Sequence, residues 1–281
     1  VNKVSRHKAP KKFVEIEYSN GRKIIVTPEH PIFVYTNKIE EISAINLKEG
    51  MVSPAPRKLP TINKKAMLIP SIVGSMNKPI DFPATMSYPF SRLLGYVASE
   101  GHSYFSNQHR YAEIGVSNTN PTIAAEANEL FSGVFNTYTN INIRKAENNK
   151  RANLDLMTPR LCSIPLYNFF STNFYELTRK APFKRIGNIL RKIDRVYKLG
   201  FLRTAFKGDG LVDYLRIGYS TSSYGLAKDY QDLLLQNNIF SYIIKYKNDS
   251  KDYYKVIISG TDSLNKFYDL TLLYPINIPN I

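Results

Sequence analysis

LLGYVASEG, residues 93–101, and LRTAFKGDG, residues 202–210, are two versions of one pattern. Each is followed by a segment that alternates apolar and polar residues, YAEIGVS over 111–117 and YLRIGYS over 214–220, which is the period of a strand. Each then runs into helical periodicity, TIAAEANELF over 122–131 and LAKDYQDLLL over 226–235. Strands over 141–145 and 154–157 and a helix over 166–174 continue the first copy; 242–246, 253–259 and 264–273 fill the same places in the second. Each half therefore reads as helix, two strands, helix, two strands, helix, and the repeat suggests two pseudo-symmetric halves. In the motifs, Gly95 and Ser99 share one helical face, as do Thr204 and Gly208, because residues four apart are neighbours on a helix. Small residues there allow two helices to pack directly, which brings Glu100 and Asp209 together at one end. Each acid precedes a glycine, Gly101 or Gly210, able to end a helix with a positive φ.

Two carboxylates at helix C-termini repel each other, and the helix dipoles add to the strain. A cation between them relieves it. Mg²⁺ suits such a pair, since it takes one or two carboxylates, keeps waters and binds phosphates. With a phosphodiester as substrate, this amounts to metal-assisted hydrolysis. Taken singly, either acid reads better as an exposed helix-end residue before a turn; at matching positions of a repeat in so basic a protein, the two read as a pair.

The 281 residues carry 38 Lys+Arg against 23 Asp+Glu, a formal charge of +15, with 43% hydrophobic residues. That composition supports a packed core and excludes a disordered basic tail. The excess charge points to a polyanion, nucleic acid being the commonest, or to a surface tuned for solubility. A single cysteine, Cys162, excludes an internal disulfide and a cysteine zinc cluster. Its neighbours Leu161 and Ile164 suggest a buried structural thiol. With no long apolar run and no signal core, an intracellular, cytoplasmic setting without membrane association is expected. A first residue other than Met suggests a piece of a longer chain or a processed start.

The paired motifs resemble the signatures of the LAGLIDADG homing endonucleases in their monomeric two-motif form, and IGVSNTN and RIGYSTSS resemble segments of the intein-borne archaeal members. The resemblance covers residues 86–281. It implies an α+β fold of two pseudo-symmetric αββαββα halves whose antiparallel sheets form a saddle over double-stranded DNA, and metal-dependent cleavage of both strands of a long asymmetric site, leaving short 3′ overhangs. It implies Glu100 and Asp209 as the catalytic, metal-binding acids, Ser99 and Gly208 in the metal set, and Mg²⁺ as the cofactor with Ca²⁺ or Mn²⁺ as substitutes. By position, Asn118 and Thr221 match water-organising residues at strand ends, and Lys180 and Lys184 are candidates for a basic catalytic role. Solvated loop residues or plain phosphate contacts account for these four equally well. Lys207 departs from the family pattern, which has an acidic or apolar residue there. Base readout is expected from alternate strand residues: Tyr104, Ser106, Gln108, Arg110 and Arg144 in the first half, and Tyr214, Arg216, Tyr242 and Lys245 in the second. A related protein that binds DNA or RNA without cutting, as maturases and regulators do, is the alternative.

Residues 1–60 read as a small β unit: KFVEIEY over 12–18, a turn at Asn20-Gly21, then strands over 23–26 and 32–35. GRKIIVTPEHP resembles the second conserved block of inteins, with Thr27 and His30 as its TxxH residues. No Cys or Ser opens the chain and no His-Asn pair closes it at Ile281, so splicing is not expected of it as given. The unit is then a relic or an added DNA-contacting arm bearing Lys3, Arg6, Lys8, Lys11, Lys12, Arg22 and Lys23. Residues 61–85 read as a proline-rich linker, 86–180 as the first half, 181–198 as a basic inter-half segment and 199–281 as the second half.

Overall fold

A computed structural model of the chain describes residues 8–70, 80–148, 154–213 and 215–271. The chain divides into two compact units, Val1–Arg57 and Lys58–Ile281. In the first, β1 (Val14–Glu17) pairs with β2 (Lys23–Val26), and β3 (Pro31–Tyr35) pairs with β4 (Ile39–Ser43), both antiparallel. Gly21 turns the first hairpin at φ +78°. Ile32, Val34 and Ala44 form a small core against Val14, Ile16, Val26, Ile42 and Leu47. Lys3 and Arg6 lie outside the described residues.

In the second unit, α1 (Tyr88–Ser99), β5 (Gly101–Ser106), β6 (Tyr111–Val116), α2 (Pro121–Phe135), β7 (Asn140–Arg144), β8 (Leu156–Cys162) and α3 (Ile164–Asn173) make the first half. Two short helices follow, α4 (Tyr175–Thr178) and α5 (Asn188–Lys192). The order then repeats as α6 (Arg195–Asp209), β9 (Gly210–Asp213), β10 (Arg216–Thr221), α7 (Tyr224–Gln236), β11 (Ser241–Asn248), β12 (Lys251–Ser259) and α8 (Thr261–Thr271). The two sheets have matching orders, β5-β6-β8-β7 and β9-β10-β12-β11. The caps match as well: Asn120 Oδ1 accepts from Thr122 N at 2.9 Å to start α2, and Ser223 Oγ accepts from Leu226 N at 3.1 Å to start α7.

One face of each sheet is buried under the helices, and the other is open. On β6, Ala112, Ile114 and Val116 enter the core, where Phe90, Phe135, Phe169, Phe170 and Phe174 stack on one another. In the second half Ile217 and Tyr219 turn inward beside Phe206, Tyr230 and Phe267. This alternation corrects the reading of Cys162: Leu161 points into the core, so Cys162 falls on the open face and is exposed.

The described residues on either side of 71–79 are less loose than the prolines of this segment suggest. Leu68, Ile80 and Met86 are buried in the core of the second unit, and Asn173 grips Ile69 through both its amide ends, at 2.9 and 2.8 Å.

α1 and α6 pack directly. A Cβ on Gly95 would collide with Thr204 Oγ1 and the Phe201 carbonyl, and Thr204 Oγ1 donates to the Arg92 carbonyl across the seam at 2.5 Å. At the other end, a Cβ on Gly208 would overlap Ser99 Oγ and come within 3.1 Å of Glu100 Cγ. Gly101 and Gly210 do not use positive φ; that of Gly210 is −73°. They are required instead by crowding, since a Cβ on either would strike a carbonyl of the preceding turn, Val97 or Phe206.

Candidate active site

Glu100 caps α1 and Asp209 is the last residue of α6, so the close helix contact delivers both carboxylates to one point. Glu100 is pushed up to about 7, first by burial and then by the charge of Asp209, against the opposing pull of Asn118 and Lys184. Asp209 is also raised by burial, with Lys184 and the Tyr219 hydroxyl opposing. Among the described residues no group of three or more His, Cys, Asp and Glu gathers anywhere, so the centre is a pair. Two hard oxygen donors on rigid helix ends, both resisting ionisation where they stand, are a donor set that fits a divalent cation of the Mg²⁺ type.

Around the pair the two halves differ. Asn118, just past β6, donates from Nδ2 to Glu100 Oε1 at 2.6 Å and accepts at Oδ1 from Asn120 N at 2.7 Å. Thr221 holds the matching place on β10 but accepts from Ser223 N at 3.1 Å. On that side it is Tyr219, fully buried, whose hydroxyl faces the acid and favours its ionised form. Tyr219 takes the place of Val116, since each pairs with the glycine that follows its acid. Only comparison of the two strands position by position would have singled it out.

Lys184 is brought to the acids and Lys180 is not. The Lys184 side chain is 6% exposed, and its ammonium donates to the carbonyls of Val97 at 2.9 Å, Ala98 at 3.3 Å and Gly101 at 2.7 Å, the orphan acceptors at the end of α1. Burial pushes it down to about 8 while Asp209 and Glu100 pull it up. Lys180 is exposed at the start of a short 3₁₀ turn, Ala181–Phe183. Lys207 is engaged elsewhere: it reaches across to Glu126 on α2, which also binds Arg92 and accepts from the Tyr96 hydroxyl at 2.8 Å.

The readout residues divide by register. Tyr104, Ser106 and Arg144 lie on the open face of the first sheet, and Arg216 and Tyr242 on that of the second. Gln108 and Arg110 are in the turn between β5 and β6, with Arg110 at φ 44°, because β5 ends at Ser106. Lys245 is opposite Tyr254, on the other side of the sheet from Tyr242, since residues three apart on a strand face opposite ways; it pairs with Asp252 at 2.7 Å. Tyr214 lies outside the described residues. In the first unit, Thr27–His30 forms the turn between β2 and β3, with His30 N donating to Thr27 O at 3.0 Å and the His30 side chain exposed.

The second half also carries a family signature. Residues 196–271 match the LAGLIDADG-like domain. The matched segment runs from the first turn of α6 to the end of α8. The chain is similar to structures of the homing endonuclease I-DmoI, among them a complex with DNA and Mn, at TM-score 0.49 and 15% identity, over 67% of this chain and 98% of that one. It is also similar to full-length DUF199/WhiA from Thermatoga maritima, at TM-score 0.44 and 15% identity, over 67% of this chain and 56% of that one. Among curated proteins it is 26% identical over 266 residues to the replication factor C small subunit of Thermococcus kodakarensis, covering 91% of this chain and 25% of that protein. It is likewise 26% identical to an A-type ATP synthase subunit of Pyrococcus abyssi, covering 90% and 24%. The chain thus spans about a quarter of the length of these relatives. No helix among the described residues is long and apolar enough to cross a membrane.

Proposed function

We propose that the chain is an intein-borne, site-specific homing endonuclease that makes divalent-metal-dependent double-strand breaks in a long asymmetric DNA target and leaves short 3′ overhangs. The observation that carries this reading is the meeting of Glu100 and Asp209 at the seam of two like halves, beside the buried cation of Lys184. The intein assignment draws support from the relatives. A replication factor and an ATP synthase have unlike names, yet the matching protein of each shares with this chain only a quarter of its length, as an inserted element would. Thr27 and His30 are then the residue of a splicing block.

Glu100 and Asp209 would hold Mg²⁺, or Ca²⁺ or Mn²⁺ in its place, with Ser99 and Gly208 at the same helix ends. Bound there, the metal supplies a Lewis acid and an activated water for phosphodiester hydrolysis. Asn118 fixes the orientation of Glu100, and Tyr219 that of Asp209. Lys184 spends its protons on carbonyls, so its role is to balance charge rather than to deliver a proton. Lys180 is the exposed lysine available to a phosphate. Double-stranded DNA lies along the open sheet faces, contacted by Tyr104, Ser106, Arg144, Arg216 and Tyr242, with Gln108 and Arg110 at the hairpin tip. Both acids belong to one chain, so a monomer suffices, acting in the cytoplasm where host DNA is accessible.

The test is linearisation of a plasmid that carries the insertion site. Cleavage is expected with Mg²⁺ and is expected to disappear in Asp209→Asn while binding persists. Full cleavage by that variant overturns the assignment of the acids, and binding without cleavage by the unaltered protein in Mg²⁺ and Mn²⁺ favours the non-cutting alternative.

A further inference from the structure

At the centre of the open face of the first sheet lies Glu113, on β6. A carboxylate there is out of keeping with a face meant for phosphates, which it repels. It is also unlike its counterpart: two residues before Gly218 on β10 stands exposed Arg216, where Glu113 stands two before Gly115. The Glu113 side chain is only 13% exposed and is held by donors from three strands. Arg160 of β8 donates from Nη1 at 3.0 Å, His102 of β5 pairs through Nε2 at 3.0 Å, and the Tyr111 hydroxyl donates from two residues along β6. Gly115 makes this gathering possible. A Cβ there would lie 2.6 Å from His102 Cε1 and 3.1 Å from Arg160 Cβ, so the bare backbone is the floor on which the imidazole and the arginine stem meet. Burial opposes the ionised form of Glu113, but the hydrogen bonds of Tyr111 and His102 and the charge of Arg160 outweigh it and hold the group below the usual carboxylate range.

A guanidinium has five N–H donors in a rigid fork, and Glu113 engages one nitrogen. Among the described residues no other partner takes the rest of the fork, which remains for an incoming acceptor on a side chain that Glu113 steadies. Beside it a cavity of about 820 Å³ is lined by Asn140, Asn142 and Arg160 of the open face together with Ala112, Ile141 and Leu161 of the opposite one. Fixing a long side chain before binding removes part of the entropy cost of readout. We propose that Glu113 is a positioning residue for base recognition: it locks Arg160 and His102 on the first sheet so that they read base edges, guanine foremost, in one half of the target. This inference rests on the reading of the chain as a DNA endonuclease. It also fits asymmetry between half-sites, since the second sheet places Arg216, and not a carboxylate, at the position that matches Glu113.

The experiment is selection of bound duplexes from a pool of randomised double-stranded DNA in Ca²⁺, with the full chain, Glu113→Gln and Arg160→Lys, and with a melting curve for each. The unaltered protein is expected to enrich a motif containing guanine on one side. Both variants are expected to lose that preference by about tenfold at the same few base pairs, the scale of one bidentate contact, while the other half of the motif is unchanged. Arg160→Lys keeps the charge and removes the fork, so loss at the same positions is a result that a merely structural role would not produce. If Glu113→Gln enriches the unaltered motif, or weakens every position equally, the inference is overturned while DNA recognition stands. If the unaltered protein enriches no motif, the DNA reading falls and the inference with it.

Discussion

The carboxyl of Glu100 carries a cost that pH can expose. Its folded value of about 7 stands above the ordinary 4.5, so folding favours the protonated form. The stability that this contributes is complete below about pH 4.5 and is lost as pH rises through about 7. Glu100→Gln removes the ionisation, so metal-free variant and parent are expected to diverge between pH 5 and 8, the variant gaining on the order of 2 kcal/mol. Urea denaturation at several pH values checks this, and a difference that does not vary with pH would contradict it. Mg²⁺ is expected to close the gap by stabilising the parent alone. Lys184 makes a second case. Lys184→Met removes a donor from the carbonyls of Val97 and Ala98 at the end of α1 and of Gly101 at the start of β5, and a loss of about 2–4 kcal/mol is expected on the same assay.

At the level of elements, the contact of α1 with α6 is governed by what is missing from Gly95. A valine there would drive its side chain into Thr204 and the Phe201 carbonyl, and backbone cannot yield as a side chain end can. Gly95→Val is expected to cost more than about 4 kcal/mol or to prevent folding, read as loss of the cooperative melt. Gly133, inside α2 with nothing within 4 Å of its would-be Cβ, supplies the contrast: Gly133→Ala is expected to stabilise by about 0.5–1 kcal/mol. The sequence made this seam legible because small residues four apart report helix contact directly, and the repeat made the element order legible because each half checks the other. Register was harder. Tyr242 and Lys245 both look apt for a groove, yet the period of a strand puts them on opposite faces. Arg160 and His102 escaped notice because β8 runs five residues beyond its apparent end at Met157, and β5 begins directly at Gly101. Tyr219 escaped because a tyrosine in a strand ordinarily signals nothing beyond packing.

Across the whole molecule, the formal charge of +15 is not spread as the sequence suggests. The basic segment between the halves turns much of its charge inward. Arg185 and Arg191 converge on buried Asp229, which offsets part of their charge, and Lys184 and Lys198 are buried. Substituting Lys180 with Gln is therefore expected to lower the salt slope of DNA binding by about one, whereas Lys198→Gln, at a buried position, leaves it unchanged, as measured by titration across salt concentrations. Stability is divided unequally as well. The first unit has 57 residues and, among those described, buries only Ile32, Val34 and Ala44, whereas the second has a core that runs through both halves. Small units bury a smaller share of their surface and are correspondingly marginal. Calorimetry is expected to give two transitions, the smaller one first. Trypsin has Arg57 and Lys58 exposed at the division, and cutting there is expected to release residues 58–281 with the upper transition intact. An upper transition that falls once the first unit is gone would mean instead that the two units stabilise each other.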